Sequence, residues 1–224
     1  MIKCTERSGV YQAVKRLFDI LASLAALAVL SPLFLVIAIL ILSEDGRPVF
    51  YKHTRVGKGG KTFQMYKFRT MYQDRRIVLT PEQQVELQQE FKLENDPRVT
   101  RIGSKLRMSS LDELPQLLNI LKGDLSVVGP RPERPEIAAQ YCEEMPEFAL
   151  RLQAKAGLTG YAQVYGKYNT TPYNKLQMDL MYIAKPSFIE DLRIIFATIK
   201  ILFMPESTEG ISEGQTTAMS GENH

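Results

Sequence analysis

The stretch ILASLAALAVLSPLFLVIAILIL, residues 20–42, holds no charged side chain in 23 positions and decides how the chain is organised. At about 1.5 Å per residue, a straight helix over it would be roughly 35 Å long, enough to span the hydrocarbon core of a bilayer. A secretory signal peptide is disfavoured, because the run is longer than a signal core and no small-x-small cleavage motif follows before Glu44. The sequence therefore predicts a membrane-embedded segment.

Basic side chains flank this apolar run on both sides. They are Lys3, Arg7, Lys15 and Arg16 before it, and Arg47, Lys52, Arg55, Lys58, Lys61, Lys67 and Arg69 after it. Because Lys and Arg favour the cytoplasmic side, a spanning helix would leave one basic flank outside. Ser31 and Pro32 lie at the middle of the run, where proline removes a backbone donor and a serine hydroxyl can satisfy the freed group. A re-entrant helix-break-helix and a kinked single-pass helix both fit this pattern.

The composition excludes several classes of protein. The chain has 224 residues, of which 45% are apolar and 24% charged, and this fits one domain of moderate size. Two cysteines and two histidines do not supply a usual structural zinc site. No nucleic-acid-binding motif and no P-loop is present, so nucleic acid is not an expected partner. Residues 205–224 contain four glutamates and no Lys or Arg, and we expect a disordered tail there.

The rest of the chain predicts a mostly helical α+β fold with one small β-hairpin. We expect the hairpin at 48–71, an exposed helix at 81–95, two helical stretches within 101–122 with Gly123 as C-cap, a short strand from 126, a helix at 137–153 and an irregular loop at 156–174.

Residues 188–204 predict an amphipathic helix, opened by Ser187 and Glu190 in capping-box spacing and stopped by Pro205. Its polar side chains fall within about half of the helical wheel and leave a bulky apolar face. The polar set is Glu190, Asp191, Arg193, Thr198 and Lys200. Such a helix can lie in a membrane interface or pack on a protein core, and periodicity does not separate the two.

The adjacent carboxylates Asp112 and Glu113 stand in the sequence SSLDELPQLLNILKG. A structural interpretation is available, because Ser110 and Glu113 have capping-box spacing and acids are favoured in a first helical turn. Pro115, however, is too deep for a helix that starts at Ser110, so the helix must begin later or bend. The carboxylates are then candidates for chemistry at a helix entrance.

Several cations accompany these acids without a polyacidic partner in the folded part of the chain. They are Lys67, Arg69, Arg98, Arg101, Lys105, Arg107, Arg131 and Arg134. The basic cluster at 47–61 is the type that contacts anionic lipids. Arg131, in the sequence Gly-Pro-Arg-Pro, has a stiffened backbone on both sides, and a rigidly presented guanidinium suits a phosphate. This pattern favours a membrane-bound enzyme that acts on phosphates at the bilayer surface.

At this point the chain resembles the monotopic polyprenyl-phosphate phosphoglycosyl transferases, or bacterial sugar transferases. The resemblance runs from about residue 15 to residue 203, and its motifs are KRLFDI, Ser31-Pro32, PVFYKHTRVGKGGKTFQMYKFRTM, NDPRVTRIGSKLR, SSLDELPQLLNILKGDLSVVGPRP and GLTGYAQVYGK. It implies an amphipathic N-terminal segment at 1–19, a re-entrant membrane helix at 20–42 broken at Ser31-Pro32, and a cytoplasmic catalytic domain with interfacial helices at 43–204.

The implied reaction is transfer of a sugar 1-phosphate from a UDP-sugar to undecaprenyl phosphate, with release of UMP and a requirement for Mg²⁺. It is the first membrane step of exopolysaccharide, capsule or other surface glycan assembly, at the cytoplasmic face of the bacterial inner membrane. Expected partners are the two substrates and membrane lipids, and a homodimer is left open.

The resemblance also assigns roles to individual residues. Asp112 is the implied nucleophile, which would form a covalent aspartyl phosphosugar in a ping-pong mechanism, and Glu113 is the implied Mg²⁺ ligand. Implied substrate-binding residues are Lys67, Arg69, Arg107, Arg131 and Asp179.

Three positions depart from the family pattern. They are Ala156, Tyr161 and Lys167, where proline, tryptophan and arginine are common. All three lie in the expected substrate loop, so they bear on the identity of the sugar. Two rivals remain: a membrane-anchored scaffold in which Asp112 and Glu113 only cap a helix, and a UDP-sugar hydrolase in which water replaces the lipid.

Overall fold

In a computed structural model of the chain, the structure describes residues 9–73, 78–84, 96–166 and 171–203. The first element is the helix α1, Gly9–Asp45, which runs through Pro32 without interruption. The prediction that the helix is interrupted at Ser31-Pro32 is therefore wrong, because both residues are helical. Proline cannot donate to the carbonyl of Ala28 four residues back, and the Ser31 hydroxyl donates to that carbonyl instead, at 2.8 Å. The hydroxyl replaces the missing backbone donor, as predicted, and the helix continues.

Thirteen further elements whose bounds lie within the described residues follow α1. They are β1 Phe50–Val56, a 3-10 turn Lys58–Gly60, β2 Thr62–Phe68, α2 Arg101–Met108, a 3-10 turn Leu111–Glu113, α3 Gln116–Lys122, β3 Ser126–Val128, α4 Pro135–Glu144, a 3-10 helix Pro146–Gln153, β4 Gly157–Thr159, α5 Tyr161–Tyr165, α6 Pro172–Ala184 and α7 Phe188–Phe203. The mostly helical fold with a small antiparallel hairpin, β1-β2, is confirmed.

These elements form two compact units. The hairpin unit comprises the described residues within 17–55 and 62–125, and the parallel-strand unit comprises those within 9–16, 56–61 and 126–203. The hairpin unit therefore contains β2, β1 up to Arg55, α2 and α3. The parallel-strand unit contains β3 and β4.

The core of the hairpin unit forms where the C-terminal half of α1 meets the hairpin and α2. Its buried members are Ile37, Ile41, Phe68 and Leu106. The two helices predicted within 101–122 are confirmed as α2 and α3. Gly123 ends α3 in the left-handed conformation, with φ of 93°, and its N–H donates to the carbonyls of Asn119 and Ile120, as a C-cap should.

The parallel-strand unit differs from the prediction in two places. The helix expected at 137–153 ends at Glu144, because Pro146 cannot continue it, and a 3-10 helix follows. The loop expected from 156 instead contains β4, which pairs in parallel with β3 in the register Ser126 to Gly157 and Val128 to Thr159. The short helix α5 follows, and Lys167 lies outside the described residues.

One charged residue of α7 is buried, although the sequence places it on the polar face. Asp191, assigned above to the polar face, is 1% exposed, and it accepts hydrogen bonds from Tyr11, Lys15 and Tyr182. Ile194 is also buried, whereas Ile189, Phe196 and Ile199 are exposed. One side of α7 therefore packs on the unit through both polar and apolar contacts. The other side presents large apolar side chains outward.

The remaining expectations concern residues that are described in part or not at all. Of the helix expected at 81–95, residues 81–84 are helical and the others lie outside the described residues, as do residues 1–8 and the tail 205–224. Within the described part, α1 is the one helix long and apolar enough to cross a membrane.

Candidate active site

Asp112 and Glu113 do not act as helix caps. They lie in the 3-10 turn Leu111–Glu113, preceded by Ser110, which has a left-handed φ of 55° and makes no side-chain capping bond. The helix α3 begins only at Gln116, after Pro115. The capping-box interpretation is therefore wrong, and the prediction that Pro115 delays the helix is confirmed. The two acids occupy a turn between helices.

Lys67 of β2 joins the two carboxylates. Its Nζ lies 2.7 Å from Glu113 Oε1 and 3.2 Å from Asp112 Oδ2. The side chains of Asp112, Glu113 and Lys67 are 10%, 16% and 18% exposed, so the cluster is largely shielded but open at one side. Burial raises the pKa of Asp112, and Lys67 opposes this shift. A poorly solvated carboxylate beside a movable ammonium group is suited to attack an electrophile.

Arg107 lies on α2, in the same unit. Its Nε donates to the Thr70 hydroxyl at 2.9 Å, and its side chain is exposed. Thr70 is the second residue after β2 and stands three residues after Lys67. The predicted phosphate-binding arginine is thus held through one nitrogen at the end of the strand that supplies the lysine.

Arg69 differs from Lys67 although both come from β2 and its end. It is 6% exposed, pairs with the Asp45 carboxylate, and donates to the carbonyls of Asp45 and Gly46 at 3.1 and 2.6 Å. In the part of the chain that the structure describes, its guanidinium hydrogen bonds reach only Asp45, the last residue of α1, and Gly46 after it. The structure places Arg69 as a link between α1 and the hairpin rather than at the carboxylate pair.

Asp179 and Arg131 belong to the parallel-strand unit. Asp179 is 1% exposed, and its Oδ2 accepts a hydrogen bond from Arg151 Nη2 at 2.6 Å. The same Nη2 donates to the main-chain carbonyl of Arg131 at 2.9 Å. Arg131 and the prolines beside it line a small cleft together with Val56, Gly57 and Phe148. Asp179 therefore contacts the Pro-Arg-Pro turn through Arg151.

The donor set can be tested against Mg²⁺. Among the described residues there is no group of three or more His, Cys, Asp and Glu side chains that could hold a metal. Mg²⁺ commonly keeps several waters and takes only one or two carboxylates plus substrate phosphates. Asp112 and Glu113 are two carboxylates that share one cationic partner, the Lys67 ammonium, and they match that requirement in number and oxygen type.

Comparison with known proteins decides the family. Residues 10–205 match the sequence profile of the family described as Bacterial sugar transferase. This chain belongs to the bacterial sugar transferase family. The match covers both units and every candidate residue named above.

Individual family members differ in length. The undecaprenyl-phosphate galactose phosphotransferase of Salmonella typhimurium is 40% identical over 84% of this chain, which spans 40% of that protein. The exopolysaccharide production protein ExoY of Sinorhizobium fredii is 43% identical, and the alignment covers 83% of each protein. The UDP-glucose:undecaprenyl-phosphate glucose-1-phosphate transferase of Caulobacter vibrioides is 38% identical over 86% of this chain and 71% of its own length.

In this bacterial sugar transferase, sequence reasoning missed several residues that bond to the predicted site residues. Thr70 stood inside a quoted motif, and Asp45 was visible as an acid that ends the apolar run, so both had a signal. Arg151 had none, because nothing in its neighbourhood distinguishes it from a surface arginine.

Proposed function

We propose that this protein transfers a sugar 1-phosphate from a UDP-sugar to undecaprenyl phosphate at a bilayer surface, with release of UMP. The observation that carries the proposal is the shielded carboxylate of Asp112, held by Lys67 and relieved of any capping role. Family membership supports the reaction class. Two of the relatives have names that specify undecaprenyl phosphate with galactose in one case and UDP-glucose in the other, so the resemblance supports the lipid acceptor and leaves the sugar open.

The chemistry proceeds in two steps at the β-phosphorus of the donor. An Asp112 carboxylate oxygen attacks this phosphorus, the bond from phosphorus to the bridging oxygen breaks, and UMP leaves with the bonding electrons. A phosphate oxygen of undecaprenyl phosphate then attacks the same phosphorus and releases the carboxylate. Covalent catalysis of this kind lets each phosphate substrate confront the enzyme separately, which avoids a direct meeting of two polyanions.

Each of the two units supplies cations that can bind phosphate groups. Lys67 holds Asp112 and Glu113 before the donor binds, and its ammonium can exchange these partners for phosphate oxygens. Arg107 supplies a guanidinium from the same unit, and Arg131 is the predicted phosphate ligand of the parallel-strand unit. Glu113, beside Asp112, would hold Mg²⁺. When bound, the ion would neutralise charge on the diphosphate and on the departing UMP.

The helix α7 supports a location at the membrane surface. Ile189, Phe196 and Ile199 are exposed on it, and so are the basic side chains of Arg193 and Lys200. Exposed large apolar side chains together with cations are typical of a helix that lies in the interface of an anionic bilayer. We therefore place α7 in the headgroup region, with its buried side, including Asp191, against the protein.

The basic side chains on both flanks of the apolar run support re-entry over a crossing. Lys15 and Arg16 precede the run, and Arg47 and Lys52 follow it. Because Lys and Arg favour the cytoplasmic side, a crossing helix would leave one of these flanks outside. We propose that α1 bends at Pro32 and returns to the same leaflet surface.

The decisive experiment uses the purified protein in nanodiscs and the single change Asp112→Asn. We expect incubation with the correct UDP-sugar, found from a panel, to release UMP and to leave a phosphosugar adduct on Asp112 that mass spectrometry can map. Loss of the nucleophile should lower turnover by a factor on the order of 10⁴. Asp124→Asn is the matched control, since Asp124 lies in the same unit and its carboxylate contacts, among the described residues, only the side chains of Asn119 and Lys122.

Three outcomes would contradict parts of the proposal. Full activity of Asp112→Asn would leave only the scaffold role for the acid pair. An adduct mapped to another residue would refute the assignment of the nucleophile. Sustained UMP release that does not depend on undecaprenyl phosphate would identify a hydrolase instead.

A further inference from the structure

Thr70 is a buried polar residue, 7% exposed, that contacts the helix α2. Its carbonyl accepts the N–H of Thr100 at 3.0 Å, and its hydroxyl accepts Arg107 Nε at 2.9 Å. Between these two contacts Gly103 lies directly against the Thr70 backbone: a Cβ at this glycine would be 2.2 Å from the Thr70 carbonyl oxygen. Close approach of the two backbones therefore requires glycine at this position.

These three contacts share one face of α2. Positions 100, 103 and 107 are separated by three and four residues, the spacing that aligns side chains along one side of a helix. Thr100 also begins the helix, because its hydroxyl accepts the N–H of Gly103 at 2.8 Å. The rotation and height of α2 relative to Thr70 are thus determined at its start, its middle and its end.

The Thr70 hydroxyl has a specific effect on Arg107. An exposed arginine samples many rotamers, and binding a ligand must freeze them. Here the Nε hydrogen bond already restrains the guanidinium plane, while no other side-chain hydrogen bond of Arg107 occurs in the described residues. The Nη1 and Nη2 groups consequently remain for a phosphate, and their fork geometry suits two of its oxygens.

We infer that Thr70 is a positioning residue, which sets the guanidinium of Arg107 for binding a phosphate of the donor. The inference rests on the proposed function, because it takes the anion at Arg107 to be the UDP-sugar. It assigns to the threonine a role that a packing residue would not have. The hydroxyl acts through Arg107, and its contribution should disappear when Arg107 is absent.

The test is a double-mutant cycle on the full chain in nanodiscs, with kcat/KM for the UDP-sugar as the readout. Thr70→Val keeps the shape of the side chain and removes the acceptor, whereas Thr70→Ser keeps the acceptor. Loss of one hydrogen bond to a charged group should lower kcat/KM about tenfold in Thr70→Val. Thr70→Ser should restore it to within about twofold of the original protein.

Coupling and folding controls complete the experiment. In an Arg107→Ala background, Thr70→Val should change kcat/KM by less than about twofold, because the restrained group is gone. Thr54→Val is the matched control: the Thr54 hydroxyl lies on the same hairpin, and within the described ranges its only hydrogen bond is with the exposed Gln64 side chain. Thr70→Ala provides a second variant without the acceptor, and thermal unfolding midpoints of all variants show whether each is folded.

The outcomes separate the inference from the function on which it rests. An equal fall of kcat/KM with and without Arg107, or failure of Thr70→Ser to restore it, would overturn the positioning role. The positioning role would also be overturned if Thr70→Val were as active as Thr54→Val while Asp112→Asn still abolished turnover. If instead the original protein released no UMP with any UDP-sugar of the panel and undecaprenyl phosphate, the proposed function itself would fail.

Discussion

Replacing Asp179 by asparagine should destabilise the protein through Arg151. The aspartate is 1% exposed, and its partner Arg151 is 7% exposed, with Oδ2 and Nη2 2.6 Å apart. After Asp179→Asn, the guanidinium remains charged and buried without its main counter-charge. Its only other carboxylate partner in the described residues is Glu133, whose Oε1 lies 3.9 Å from Nη1.

The size of the effect follows from this geometry. Removing one partner from a buried ion pair costs about 3–5 kcal/mol, and the remaining Glu133 favours the lower end, about 3 kcal/mol. At about 2–4 °C per kcal/mol for a chain of this size, the unfolding midpoint should fall by about 6–12 °C. Burial raises the pKa of Asp179 although Arg151 opposes the shift, so the intact pair adds little net stability. Replacing both partners by Leu and Met should therefore be nearly neutral.

Thermal unfolding in nanodiscs measures these differences, and UMP release measures the functional consequence. Arg151 also holds the main-chain carbonyl of Arg131, so Asp179→Asn should raise KM for the UDP-sugar more than it lowers kcat. The double replacement should recover stability without recovering KM, because it lacks the donor to this carbonyl. Asp124→Asn should stay within about 0.5 kcal/mol of the original stability, as expected of a partly exposed residue.

One result would refute this account of Asp179. If Asp179→Asn kept its unfolding midpoint yet lost turnover as completely as Asp112→Asn, Asp179 would contact the reacting phosphate directly. The substrate-binding role implied by the family resemblance would then be correct, and the structural role would be wrong.

Two further predictions concern the membrane helix and α7. Single cysteines at Ala13 and Lys58, in a protein whose native cysteines are replaced, should both react with an impermeant maleimide only from the cytoplasmic side; reaction from opposite sides would establish a crossing helix. Tyr161→Phe should raise the pKa of Glu190, which the Tyr161 hydroxyl lowers by donating at 2.6 Å. A lowered carboxyl pKa stabilises the fold above the unfolded-state value, so the variant should lose stability at neutral pH and converge with the original protein as pH falls through the folded-state pKa. Thermal unfolding across a pH series measures this, and parallel curves would contradict it.

Features with local causes were predictable from the sequence. Pro115 restricts the backbone at its own position, whereas the glycines of the hairpin turn and Gly123 permit a positive φ that other residues disfavour. The structure has its delayed helix, its turn and its C-cap at these positions. The interpretation of Asp112 and Glu113 as more than helix caps depended on this local geometry. No long-range contact was needed to reach it.

The parallel pairing of β3 and β4 was not predictable in the same way. Each strand has three residues, too few for a recognisable alternation, and about thirty residues separate them. The glycines near β4 were interpreted as marks of a loop. In the structure they allow two backbones to meet, since a Cβ at Gly157 would lie 2.1 Å from the Gly129 nitrogen. A glycine required for close approach and a glycine required for a turn look identical in a sequence.

The sequence also does not show which partner a charged side chain contacts, and in this respect Lys67 and Arg69 differ. Lys67 and Arg69 stand two residues apart in one motif, yet Lys67 pairs with the candidate nucleophile and Arg69 pairs with the end of α1. The same short segment therefore joins the end of α1 to Asp112. Because these links are ion pairs between largely buried groups, β2 cannot shift against α1 without separating charges. If α1 lies in the bilayer as proposed, its depth there sets the height of Asp112, and the proposed function requires such control because one proposed substrate is a lipid headgroup.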